Sequence, residues 1–141
     1  MKIAEIVIEG ESIREITNIL YEIKDEAQIG EPIIYSANDI DIIMKEEFYK
    51  RIESTLMAVT ILKFASNNRV EIELVSGGGK NQIFISWGAE DSENRRRVYE
   101  LMEVCKEKSW SIISIEPEKL KQSAIESRVN ELKEKINKLM K

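Results

Sequence analysis

The chain has 141 residues, 43% hydrophobic and 33% charged, with 21 Lys+Arg against 26 Asp+Glu and no histidine. That length suits one ordinary domain with a real apolar core. The missing histidine excludes Ser-His-Asp and Cys-His nucleophiles and HExxH zinc sites, and the single Cys105 excludes an intramolecular disulfide or a CxxC metal knuckle.

No catalytic residue, metal ligand or cofactor is therefore assigned. Lys80 with Glu71 or Glu73 is the remote enzymatic option, and strand alternation alone accounts for two carboxylates spaced by two. The start MKIAEIVIEG lacks an apolar core followed by a small-residue cleavage site. No apolar run approaches the roughly 20 residues that span a bilayer, so the expectation is a soluble cytoplasmic protein with no membrane partner. Residues 1–116 carry 14 Lys+Arg against 22 Asp+Glu, whereas residues 117–141 carry 7 against 4. An acidic body argues against a nucleic-acid partner. The triplet Arg95-Arg96-Arg97 would spread over about 200° of helical arc, which predicts a solvated face, not a phosphate site.

In chain order, Ile3, Ile6, Val7 and Ile8 predict a strand ending at Gly10. Ser12 with Glu15 has the form of a capping box, followed by Ile13, Ile16, Leu20, Ile23 and Ala27 at helical spacing. This predicts a helix running to near Gly30, then an irregular segment after Glu31-Pro32. Ile40, Ile42 and Met44 alternate as a strand, and 46–54 fits either a bulged strand or a helical turn.

TLMAVTILKF, from Thr55, predicts a long strand closed by the turn Ser66-Asn67-Asn68. Arg69 to Val75 and Gln82 to Trp87 predict a further hairpin, with Leu74 opposite Ile83, Ile72 opposite Ile85 and Val70 opposite Trp87. The glycine-rich segment between them fails as a P-loop. Lys80 is followed by Asn81 and a strand, where the motif needs Ser or Thr and a helix. Ser76, Gly77, Gly78, Gly79 and Lys80 remain a candidate ligand loop, since mobile loops often carry function.

Gly88 ends the last of these strands. Glu90, Asp91 and Glu93 then suit the first turn of a helix from Ala89 to Lys108, whose buried stripe is Val98, Leu101, Met102 and Cys105. On that stripe Cys105 is expected to act as a small buried hydrophobe. Trp87 is expected to be a core anchor.

Taken together, IIMKEEFYKR, TLMAVTILKF, VSGGG and WGAED give residues 3 to 105 a resemblance to a small uncharacterised bacterial domain-of-unknown-function family with an S-G-G-G … W-G-A signature. The resemblance implies a shared fold and marks Ser76–Gly79 and Trp87–Ala89 as family features. It implies no catalytic residues.

Beyond that span, Trp110 to Ile115 predicts a short strand and Pro117 the first turn of a helix. Ile125, Val129, Leu132, Ile136 and Leu139 recur at the spacing of a coiled-coil stripe. Residues 117–141 are thus an added helix for docking or self-association, beside a 1–116 body.

The expected fold is α+β, a mostly antiparallel sheet with helices on one face. Met57, Val59, Ile61, Val75 and Phe84 would point to the other face, too apolar to leave in water. The helix bearing Val129, Leu132 and Ile136, from its own chain or a neighbour's, is expected to cover it. Two functions follow: a non-catalytic interaction module forming a homo-oligomer, with a dimer preferred, or a small-molecule-binding domain gated by Ser76–Asn81.

Overall fold

The computed structural model describes residues 2–24, 28–49, 54–78 and 89–140. Six strands form one antiparallel sheet in the order β2-β3-β4-β5-β1-β6: β1 (Lys2–Glu9), β2 (Gln28–Ala37), β3 (Ile40–Tyr49), β4 (Ser54–Ser66), β5 (Arg69–Gly78) and β6 (Ser111–Glu116). Three helices, α1 (Ile16–Glu22), α2 (Ala89–Lys108) and α3 (Lys119–Met140), complete an α+β fold. β5 and β6 both run antiparallel to β1, which lies between them, so the two are parallel to each other and α2 lies in the crossover that joins them.

In the β4–β5 pairing the apolar faces of the two strands coincide. Leu62 faces Ile72 and Phe64 faces Val70, so the large hydrophobes of both strands share one face. The core is built there: Ile6 and Ile8 from β1, Ile43, Leu62, Ile72 and Leu74 from the central strands, and Val98, Leu101 and Cys105 from α2 are all buried. A two-residue turn joins β4 to β5, where the Ser66 hydroxyl accepts the Asn68 N–H at 3.1 Å.

The hairpin read for 69–87 needs correction on its described side. Both edges of β5 are taken: Leu74 faces Thr60 and Ala4, Ile72 faces Leu62 and Ile6, and Val70 faces Phe64 and Ile8. The expected strand Gln82–Trp87, with Phe84, lies outside the described residues.

The first helix is much shorter than its apolar spacing predicts. Ile13–Glu15 forms a 3-10 turn, and Ser12 sits in the left-handed region at φ 57°, where its side chain caps nothing. An N-cap side chain needs an extended backbone to reach the first turn, so the capping box is not made. Glu15 instead donates its N–H to Ser12 O at 3.0 Å and accepts Lys108 Nζ at 3.0 Å. At the other end, Lys45 Nζ donates to Leu20 O (2.9 Å) and Ile23 O (2.7 Å). A cation from β3 thus satisfies the carbonyls that the last turn of α1 leaves unpaired.

The segment around Pro32 is a strand, not irregular. It tolerates a residue without an N–H because β2 is an edge strand, and the register slips between Ile29 and Ile33. Gly30, at φ 68°, supplies the left-handed step within that bulge.

Cys105 is buried as expected, and desolvation pushes its thiol up to about 11 from an ordinary 9.0. A raised folded value means stability is fully present below pH 9 and is lost as pH rises towards 11, because the unfolded thiol ionises first. Melting temperature is expected to fall more steeply across that window in the native chain than in Cys105→Ala. Equal slopes would show that the thiol contributes nothing.

Candidate functional site

On the core face of the sheet, β3, β4 and β5 bring Lys45, Ala58 and Ser76 into one row and Glu47, Leu56 and Gly78 into the next. The second turn of α2 lies over these rows. The charges carried there are the ones expected to be solvated.

Arg96 Nη2 donates to both oxygens of Glu47, at 2.7 and 2.9 Å, and to Glu93 Oε1 at 2.6 Å. Its Nη1 bonds Glu100, and Nε reaches the second Glu93 oxygen at 3.4 Å. Glu47 and Glu93 are 1% and 0% exposed. Burial alone would pull Arg96 down, but Glu93, Glu100 and Glu47 outweigh it and hold the guanidinium above its ordinary value.

Arg97 has a different solution. Among the described residues it makes no salt bridge; its Nη2 donates to Val59 O at 2.7 Å and to the Thr60 hydroxyl, and its Nη1 to Val75 O and Ser76 Oγ, both at 3.2 Å. Burial, partly offset by Glu93, pulls it down to about 10. Ser76 in turn donates to Asn94 Oδ1 at 2.7 Å. Buried polar groups are tolerated when bonded in this way, and the network joins α2 to three strands.

No family model matches this chain, and no curated protein or solved structure matches it significantly.

The charge network borders a cavity of about 30 Å³ between the sheet, α1 and α2, lined by Leu20, Lys45, Thr60, Arg96 and Leu101 among others. That is room for water, well short of the several hundred Å³ that a small-molecule pocket occupies. Among the described residues no group of three or more His, Cys, Asp or Glu could hold a metal ion, and no helix is long and apolar enough to cross a membrane.

The candidate glycine loop is redrawn. Ser76, Gly77 and Gly78 are strand residues paired with Ala58, Met57 and Leu56, and Ser76 is buried beneath α2. Gly78 has φ 114°, and a Cβ there would stand 3.2 Å from Thr55 O, so glycine suits the strand end. Gly79 and Lys80 lie outside the described residues. The remote pairing of Lys80 with Glu73 meets a competitor, because Lys63 Nζ holds Glu73 at 2.9 Å.

The outward-facing set is placed largely as expected. Met57 is exposed, Val59 and Ile61 are half-buried, and Val59 faces Val75. The chain's own α3 does not cover them, which corrects the intramolecular version of that expectation. It packs on α2 and β6, with Leu120 buried near its start, on the side away from this face. Val129, Leu132 and Ile136 are 42%, 44% and 53% exposed.

Glu47, Asn94, Arg96 and Arg97 went unrecognised in the sequence. A signal existed: continuing the buried α2 stripe back from Cys105 through Leu101 and Val98 at helical spacing reaches Arg97, Asn94 and Glu93.

Proposed function

We propose that this chain is a non-catalytic interaction module that works as a homo-oligomer, a symmetric dimer in its simplest form. The observation that supports this reading is α3. Five apolar residues, Ile125, Val129, Leu132, Ile136 and Leu139, form a continuous coiled-coil stripe, and each is at least 42% exposed in the single chain. A stripe of that regularity, left in water, is the mark of a surface that buries itself on association.

Light scattering on the full chain tests the reading. The expected mass is twice the 16.3 kDa of one chain. Val129→Glu with Leu132→Glu is expected to return it to a single chain with unchanged far-UV dichroism, because neither side chain belongs to the core. A monomeric native chain across the micromolar range would defeat the reading.

A further inference from the structure

Building on that self-association, we propose that α3 of one copy lies on the outward sheet face of a second copy, each chain giving its helix and receiving its partner's. The receiving face is continuous. Strand registers place Ile33, Met44, Val59, Val75 and Ile3 side by side across five strands. Ile33 is 60% exposed and Ile3 55%, and Tyr35 and Met57 flank the row with 60% and 51%. An apolar row spanning most of a sheet is larger than single chains ordinarily leave uncovered.

Charge selects the occupant. On the outward face beside the row, Glu5, Glu71, Glu73 and Glu116 are set against Lys63. By sequence position, the residues flanking the α3 stripe are Lys121, Arg128, Lys133 and Lys135, with Glu126 opposing them. Two such helices carry the same net positive charge along their flanks, relieved in a parallel coil only where Lys121 meets Glu126. Single surface charges contribute little, so the stronger argument is coverage. Pairing α3 with α3 leaves the sheet face in water, whereas exchange of α3 onto the sheet covers both apolar surfaces in one closed, two-fold arrangement.

Disulfide trapping in the full chain tests this. Met57→Cys and Ile136→Cys are made in separate chains, mixed and oxidised gently. Cys105 stays in place because it is buried. The expected main product is the mixed disulfide between the two chains, with each variant alone yielding little covalent dimer. Covalent dimer from Ile136→Cys alone, at an unchanged two-chain mass, would mean that α3 pairs with α3; the exchange would fail while self-association stood. Dimer from Met57→Cys alone would put sheet against sheet and also overturn the exchange, as would a two-chain mass with no trapping. A single-chain mass throughout would overturn both readings.

Discussion

Arg96→Met is expected to lower the unfolding free energy by about 3–5 kcal/mol, the usual effect of removing one member of a buried ion cluster. The guanidinium bonds three carboxylates, and Glu47 and Glu93 are almost wholly buried. Taking it away leaves those two negative charges close together in a medium that solvates them poorly. Methionine keeps most of the volume, so the loss is electrostatic and not a cavity effect. Adding Glu47→Leu is expected to recover part of the loss, because replacing both members of a buried pair by apolar groups is often neutral or stabilising. Urea unfolding of the native, single and double variants measures all three. A loss below about 1 kcal/mol for Arg96→Met, the level of a solvated surface pair, would show that the cluster does not hold α2 to the sheet.

Gly10→Ala carries the second large effect. A Cβ at that position would stand 2.0 Å from Trp110 Cδ1 and 2.7 Å from Cγ. The indole has nowhere easy to go: it is buried, and its Nε1–H donates to Glu11 O at 2.7 Å. Nor does the backbone yield freely, since Gly10 N–H is bonded to Asn68 O at 2.9 Å. Overpacking of this kind costs about 1–3 kcal/mol. A drop of several degrees in melting temperature is expected, with a red shift in tryptophan emission as the ring is displaced. An unchanged melt would mean that β1 and Trp110 separate at little cost.

What the sequence made legible was whatever depends on local periodicity. The α2 helix, the β4 strand and the outward facing of Met57, Val59 and Ile61 all follow from alternation or helical spacing that one face of an element imposes on itself. What it hid depends on partners distant in the chain. The helix begun at Ile16 stops at Glu22 because Lys45, more than twenty residues on, bonds its last carbonyls. The capping box failed because Ser12 takes a left-handed turn that its sequence neighbours do not dictate. Pro32 marks irregular chain only if the strand is central, and sheet order is a global property. The charge network was missed for a related reason. Residue type alone points Arg96 and Arg97 to solvent, although Arg97 continues the buried α2 stripe; the groups that accept them inside, Glu47 from β3 for Arg96 and the β4 and β5 carbonyls and hydroxyls for Arg97, lie far away in the sequence.

The interrupted outer strand β2 bears on the size to which an assembly of these chains can grow. An unbroken edge strand is a template: its free N–H and C=O groups accept another strand, and the product presents the same edge again, which leads to fibres. Here Gly30 and Pro32 break the rhythm of donors along one border of the sheet, and α3 packs beside β6 at the other. Strand-by-strand growth from either border of the sheet therefore meets an obstacle built into the chain itself.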